Sequence, residues 1–348
     1  MANRTWFARR PIRILTMLVL LMAGLPVAAS SVDALDNNAH GSVLARRTLN
    51  VAYAHQTSAQ HLDLYRPLHG TGVFPLVVYI HGGGFARGDK SGAGNVIGPL
   101  VRAGYAVASL NYRLAPAGRF PAPVEDVKAA VRFLRANSQR YGLDPTRFAA
   151  FGGSAGGYLA TMLAVTANVP RFDNPALGYA HTSSAVQAVV SWFGPVDFLT
   201  LDRQRRSLPS CVHIAPSARS TAGLALLGAT PSAVPAAARE ASPLAYIESA
   251  RSIPPLLIEH GTLDCRVPSA QTGQLTRALL ASHHHGSVKT LIVAGAGHGP
   301  RFGTTAHMPD VVRFLARTLL PGRASVAPLA GHAIRATRRP ATDAIRDL

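Results

Sequence analysis

The segment Phe148-Ala149-Ala150-Phe151-Gly152-Gly153-Ser154-Ala155-Gly156-Gly157 joins a short apolar run to a serine held among glycines. The apolar run predicts a buried strand, and the small residues of Ala155–Thr166 predict a helix. A serine on the sharp turn between them stands exposed above the sheet edge, and Gly152 and Gly156 give that turn the space it needs. The helix N-terminus favours negative charge there. We therefore predict that Ser154 is a nucleophile; the alternative is a glycine-rich loop without chemistry.

Short apolar runs alternate with helical patterns along the rest of the chain. The predicted strands are Leu49–Ala54, His61–Tyr65, Phe74–Ile80, Tyr105–Tyr112, Ala188–Phe193, Leu256–Glu259 and Thr290–Val293. The further predicted helices are Asn95–Ala103, Val124–Tyr141, Gln271–Ala281 and Val311–Leu319. This alternation predicts an α/β fold with a mostly parallel sheet covered by helices on both faces, over residues 48–320. Residues 199–250 break the alternation, and we predict a small lid insertion there.

The first 30 residues have the three-part pattern of a secretory signal peptide. A basic start that includes Arg9 and Arg10 precedes the apolar run Ile14–Leu25 and then small residues. That run is about 12 residues long, short of the roughly 20 that span a bilayer. We expect a secreted or periplasmic protein with no membrane span after cleavage; the alternative is an uncleaved anchor. Residues 31–47 are assigned to an N-terminal segment, and 321–348 to a basic tail that is predicted to be disordered.

The formal net charge of +18 raises the question of an anionic partner. Nearly all of the positive charge comes from arginines that are scattered along the chain, and no aromatic-basic motif accompanies them. We therefore expect a solvated basic surface and no nucleic-acid partner.

The two cysteines, Cys211 and Cys265, lie far apart in sequence. Export would bring them into an oxidising compartment, where such pairs form disulfides. The alternative is two buried free thiols.

A second glycine-rich motif, His81-Gly82-Gly83-Gly84-Phe85, directly follows the predicted strand Phe74–Ile80. Consecutive glycines let backbone N–H groups approach a substrate oxygen closely. We predict that the N–H groups of Gly83, Gly84 and Ala155 form an oxyanion hole. A phosphate-binding loop is the rival, but the motif lacks the Gly-Lys-Ser/Thr ending.

A serine hydroxyl needs an adjacent base, which a carboxylate must orient. His298 lies in a glycine-rich loop after the last predicted strand, and Asp264 follows the strand before it. We predict that these two residues are the base and the acid, in the order serine, acid, histidine. Asp197 is the alternative acid. The competing histidines are His260, His283, His284, His285, His307 and His332. The run His283–His285 could form a metal site or could be an exposed loop after a helix.

These motifs together resemble the hormone-sensitive-lipase-like branch of the α/β-hydrolase superfamily, most closely its bacterial carboxylesterases and feruloyl-esterase-like members. The resemblance covers roughly residues 60–320. It rests on His81–Phe85, Asn111–Pro116, Phe120-Pro121 with Asp126, Gly152–Gly157, His260–Pro268 and Gly297–Gly299.

The resemblance implies an eight-stranded, mostly parallel sheet, no cofactor, no metal, and ester hydrolysis through an acyl-enzyme. It implies that Ser154 is the nucleophile, His298 the base, Asp264 the orienting acid and Asp126 a structural residue. Cys265 directly follows Asp264, so a bridge from the predicted lid at Cys211 would hold the acid in place.

The expected substrate is a small-molecule or polysaccharide-linked ester with a small or aromatic acyl group, such as acetyl or feruloyl. An amide hydrolase on the same triad, like an arylformamidase or a peptidase, is the first alternative. A hydrolase fold used only for binding is the second, although such proteins usually lose a triad residue. The sequence makes no prediction about the oligomeric state.

Overall fold

The computed structural model describes residues 31–36, 43–70, 72–211 and 221–320. Nine strands in these ranges form one sheet. They are β1 Ser31–Asp36, β2 Val43–Ala52, β3 His61–Pro67, β4 Phe74–Ile80, β5 Ala106–Leu110, β6 Leu143–Gly153, β7 Ala188–Trp192, β8 Leu256–Gly261 and β9 Val288–Val293. Their order across the sheet is β1-β2-β3-β5-β4-β6-β7-β8-β9.

The sheet has an antiparallel edge and a parallel body. Strands β1, β2, β3 and β5 pair antiparallel, whereas β5, β4, β6, β7, β8 and β9 pair parallel. The register aligns Ile80 with Gly152 and Trp192 with Glu259. The carboxyl ends of the parallel strands therefore reach the same edge of the sheet, where ligands bind in open α/β folds.

Helices cover both faces of the sheet, as expected from the alternation of strands and helices. They are α1 Gly94–Arg102, α2 Ala122–Ala136, α3 Ser138–Tyr141, α4 Ala155–Val165, α5 Phe198–Arg206, α6 Thr221–Leu227, α7 Pro235–Glu240, α8 Ala270–Ala281 and α9 Thr304–Leu319. Strands β5, β7 and β8 are buried along their whole length, which explains the apolar residues that dominate β5, β7 and the first half of β8. Every residue of α4 is also buried, and its glycines and alanines let it lie close to the sheet.

The eight-stranded, mostly parallel sheet is confirmed, with β1 as an additional edge strand that the sequence did not indicate. Strands β1 and β2 fall partly within residues 31–47, so the sheet extends into the segment that was assigned outside the domain. The single helix predicted for 124–141 divides at Asn137 into α2 and α3. The predicted signal peptide and the predicted basic tail both lie outside the described residues.

The chain between β7 and β8 contains the segment that breaks the alternation. Its described part holds α5, α6 and α7 with two 3-10 turns, Pro209–Cys211 and Pro243–Tyr246. Helix α6 lies next to the glycine motif after β4, because a Cβ atom placed on Gly84 would be 4.0 Å from the Cβ of Ala222. Near it, the N–H of Phe120 donates to the carbonyl of Leu226 at 2.8 Å. These contacts bring the segment to the edge of the sheet where the parallel strands end.

Candidate active site

Ser154 occupies a strained turn between β6 and α4. Its φ of 57° and ψ of −121° are rare for a residue with a side chain. The turn is crowded by backbone: a Cβ on Gly156 would lie 2.0 Å from the carbonyl oxygen of Ile80, and one on Gly152 would lie 2.4 Å from the carbonyl carbon of Gly156. Only glycine fits these two positions, as the sequence predicts.

A hydrogen-bonded chain runs from Ser154 to a buried carboxylate. The imidazole of His298 lies with Nε2 2.9 Å from Oγ of Ser154 and with Nδ1 2.6 Å from Oδ2 of Asp264. A carboxylate only accepts hydrogen bonds, so the proton is on Nδ1 and the lone pair of Nε2 faces the serine hydroxyl. The structure thus brings together the three predicted residues in the arrangement that activates a serine.

Asp264 is fully buried and every contact around it favours its charged form. Oδ1 accepts from the N–H groups of Arg266 and Val267, both at 2.9 Å. Burial by itself raises the pKa of Asp264, but the hydrogen bonds from His260 and His298 outweigh it and lower this pKa to about 2. The carboxylate is therefore ionised at neutral pH and able to stabilise an imidazolium at His298.

His260, a competitor for the role of base, supports the acid instead. It is fully buried, with Nε2 3.3 Å from Oδ2 of Asp264 and 2.7 Å from the carbonyl of Val267. Its Nδ1 accepts from the hydroxyl of Thr272 at 2.7 Å. Sequence reasoning missed this supporting role, although the four-residue spacing between His260 and Asp264 on one strand-to-loop turn was visible.

The ring of Phe193, at the end of β7, holds His298 from another side. Its centroid is 4.7 Å from that of the imidazole. The side chain of His298 keeps 14% of its surface exposed, so the imidazole is not sealed from solvent.

The glycine motif after β4 lies directly against Ser154. A Cβ on Gly82 would be 3.4 Å from the Cβ of Ser154, and Gly83 and Gly84 adopt φ values of 122° and 64°. His81 anchors the loop by stacking on Tyr112 with ring centroids 4.5 Å apart. The loop therefore borders Ser154 directly, and an oxyanion hole formed by its N–H groups stays a prediction.

Asp197, the alternative acid, and Asp126, the predicted structural acid, both form hydrogen bonds that do not involve His298. Asp197 caps α5 by accepting from the N–H of Leu199 at 3.0 Å. Asp126 is buried and accepts from Arg113 and from Gln60, the latter at 2.8 Å. These contacts agree with a structural role for Asp126 and leave Asp264 as the acid beside His298.

The remaining competing histidines lie away from Ser154 or outside the described residues. His283 and His284 are exposed on the loop after α8, and Nδ1 of His285 donates to the carbonyl of Gly286. His307 is on α9, and His332 lies outside the described residues.

Comparisons with known proteins agree with this architecture. A family model described as BD-FAE matches residues 62–279, more than half of the chain. The chain belongs to the BD-FAE family. The match spans the glycine motif, Ser154 and Asp264, whereas His298 lies beyond its end.

Relatives of this BD-FAE chain carry esterase names. The chain is 32% identical over 257 residues to the esterase LipC of Mycobacterium tuberculosis. These aligned residues cover 72% of this chain and 60% of LipC. It is 31% identical over 227 residues to the probable carboxylic ester hydrolase LipM of the same organism, covering 64% of this chain and 49% of LipM. The chain therefore spans about half to three fifths of these curated relatives.

A solved structure gives a fuller match to this BD-FAE chain. The truncated form of a carbohydrate esterase from gut microbiota superposes with a TM-score of 0.70 at 30% identity, over 78% of this chain and 95% of that one.

Cys211 and Cys265 form a disulfide in this BD-FAE chain. It joins the 3-10 turn after α5 to the loop that carries Asp264. The pairing predicted from the sequence is thus present, and the alternative of two free thiols is wrong.

Proposed function

We propose that this protein is an exported serine carboxylesterase that hydrolyses small or aromatic acyl esters through an acyl-enzyme. The observation that carries the proposal is the chain of two hydrogen bonds from Ser154 through His298 to Asp264. Membership of the BD-FAE family and the esterase names of the relatives support the same chemistry.

In the proposed first half-reaction, Oγ of Ser154 attacks the ester carbonyl while Nε2 of His298 takes the hydroxyl proton. The carbonyl oxygen becomes an oxyanion, to which the N–H groups of Gly83, Gly84 and Ala155 donate. His298 then returns the proton to the leaving alcohol, and the acyl group stays on Ser154. Asp264, whose pKa is about 2, remains a carboxylate throughout.

In the second half-reaction water takes the place of the alcohol. His298 removes a proton from the water as it attacks the acyl-enzyme, and the acid product leaves after the oxyanion collapses. The residues between β7 and β8 act as a lid in this proposal. Its support is the contact of α6 with Gly84, which lies beside the site of attack.

For the substrate we propose an acyl group carried by a carbohydrate. The 30% identity to a carbohydrate esterase over 95% of that chain supports this class. Acetylated xylan and methyl ferulate represent its small and aromatic acyl members.

Export rests on the predicted signal peptide, and the disulfide between Cys211 and Cys265 supports it because such bridges persist in oxidising compartments. Across the described residues, no helix combines the length and apolar character needed to cross a bilayer.

The deciding experiment labels the full chain with a fluorophosphonate probe and measures turnover of p-nitrophenyl acetate. We expect covalent labelling of the wild type and none of Ser154→Ala, with a fall in turnover of at least about 10⁴-fold. Ser91→Ala, at a serine outside the site, is the control and should label fully. Equal labelling of wild type and Ser154→Ala would refute the proposal.

A substrate panel then separates the possible activities. The wild type that reacts with the probe is supplied with acetylated xylan, with methyl ferulate and with anilides of the same acyl groups. Turnover of esters well above that of the anilides supports the carboxylesterase; preference for the anilides would replace it by an amidase. Probe labelling with no turnover of either class would favour a protein that binds such ligands without processing them.

A further inference from the structure

Glu259, on β8, is a buried carboxylate that the triad does not use. Its side chain is fully inaccessible, and one oxygen, Oε2, accepts from the indole N–H of Trp192. The other oxygen, Oε1, is buried and has no hydrogen-bond partner. Burial raises the pKa of this carboxyl to about 7 against the opposing effect of the Trp192 hydrogen bond. An unsatisfied buried acceptor is costly, so a ligand that occupied it would stabilise the fold.

Helix α9 brings two further potential ligands to the same place. His307 and Asp310 are three residues apart and so share one face of the helix. One ligand atom each from Glu259, His307 and Asp310 lie within 4.8 Å of one another. Both helix residues are half-buried, so an ion would reach the group from solvent and meet the buried oxygen last.

The surroundings already hold this geometry. The ring of His307 stacks on Phe302 with centroids 4.4 Å apart. Asp310 pairs with Lys289 at 3.5 Å and with Arg313 at 2.7 Å, and both cations have substantially exposed side chains. Exposed ion pairs contribute little, so an entering divalent cation would displace these two side chains at low cost.

One imidazole and two carboxylates form the donor set of a borderline transition metal such as zinc. Tetrahedral zinc ligands at about 2.0–2.2 Å from the ion lie roughly 3.4 Å apart, so each pair of ligand atoms would have to close by at most about 1.4 Å. Ca²⁺, which takes oxygen ligands, would bind poorly to a site that includes an imidazole nitrogen.

We propose that Glu259, His307 and Asp310 form a binding site for a divalent cation of the zinc class, which ties α9 to β8. The site is separate from the triad and does not depend on the proposed esterase activity. Binding would fix the start of α9, which directly follows the loop that carries His298. The test uses Trp192, whose indole donates to Glu259 and so reports on the site by fluorescence.

The full chain carrying Trp6→Phe leaves Trp192 as the sole tryptophan, since the sequence has two. After EDTA treatment and its removal, this protein is titrated with ZnCl₂ while tryptophan emission and Tm are recorded. We expect a saturable change in emission and a rise in Tm of about 5 °C at zinc 100-fold above Kd. Calcium chloride at the same concentration should produce neither.

Two variants in the same background keep the proposal falsifiable. Glu259→Gln preserves the volume at the buried position, and His307→Gln changes a half-buried position, so at least the second should fold. We expect both to lower zinc affinity at least 10-fold. His284→Gln, in the exposed histidine run, is the control and should respond like the parent. No zinc response in the parent, or an equal response in parent and His307→Gln, would overturn the proposal.

Discussion

The nucleophile turn and the acid–base loops meet at the same hydrogen-bonded chain, but they are built differently. The turn around Ser154 is held by backbone packed against backbone, with no space for a Cβ at Gly152 or Gly156. The loops that carry Asp264 and His298 are held by side-chain hydrogen bonds, by the ring of Phe193 and by a disulfide.

This difference indicates how each half tolerates change. Where excluded volume fixes a conformation, one added methyl group has no place to go and the fold itself must yield. Where hydrogen bonds fix a conformation, a polar substitution leaves the fold in place and alters the position or protonation of a reacting group. Substitutions that add volume at Gly152 or Gly156 should therefore disrupt the fold, and substitutions of Asp264 or His298 should abolish the chemistry.

The largest effect is expected from Gly156→Ala in the turn. The new Cβ would lie 2.0 Å from the carbonyl oxygen of Ile80 and could be accommodated only by moving β4 or α4. We expect a loss of about 4 kcal/mol or more in the free energy of unfolding, measured by urea denaturation, or no soluble protein. Gly92→Ala, where nothing lies within 4 Å of the new Cβ, should change it by less than about 1 kcal/mol. A stable Gly156→Ala would contradict the steric account.

In the loops, Asp264→Asn should preserve the fold and remove most of the activity. The amide no longer forces the proton of His298 onto Nδ1, and it does not stabilise the imidazolium. We expect kcat on p-nitrophenyl acetate to fall by about 10⁴-fold. Asp197→Asn is the matched control: it alters the cap of α5 and the hydrogen bonds from Thr200 and Gln274, none of which involves His298. We expect kcat to stay within about threefold and the stability loss to stay below about 1 kcal/mol. Similar losses of kcat in Asp264→Asn and Asp197→Asn would show that Asp264 is wrongly assigned as the acid.

Removing the disulfide tests how far the acid loop depends on its covalent link. The bridge closes a sequence separation of 54 residues, so Cys211→Ser with Cys265→Ser should lower the free energy of unfolding by about 2–4 kcal/mol. We expect kcat to fall only severalfold, because His260 and two backbone N–H groups still hold Asp264. An unchanged free energy of unfolding in the double variant and in the reduced wild type would show that the disulfide does not stabilise the fold.

The smallest effect concerns acid stability. The pKa of Asp264 is about 2 in the folded protein and about 3.9 in an unfolded chain, so the stabilisation by its charge is complete above about pH 5. That contribution is lost as pH falls toward 2. Between pH 6 and pH 3 the wild type should lose about 1 kcal/mol more unfolding free energy than Asp264→Asn. Other carboxylates titrate in both proteins and cancel in this difference; equal losses would show that Asp264 is not the group responsible.

The same contrast explains which features were predictable from the sequence. The motif around Ser154 depends on neighbours in the chain, and strand β4 was predicted to the residue because both of its faces are buried. The proximity of Ser154, Asp264 and His298 was predictable because each follows a predicted strand, and parallel strands end at one edge.

The features that escaped prediction depend on contacts between distant side chains. The support of Asp264 by His260 and Thr272 requires the turn after β8 and the start of α8 to meet, which no local pattern records. Strand β1 has a register with β2 but no distinctive apolar alternation. Asn137 ends α2 within a continuous helical pattern, so one helix was predicted where two occur.

The disulfide gives the polypeptide a second covalent route between the two halves of the site. Ser154 lies before Cys211 in the chain and His298 lies after Cys265, so the bridge connects the nucleophile segment to the base segment without passing through the residues between. A protease that cuts once between the two cysteines would yield a nicked molecule of unchanged connectivity between Ser154 and His298. Such a molecule would separate into two fragments only after reduction.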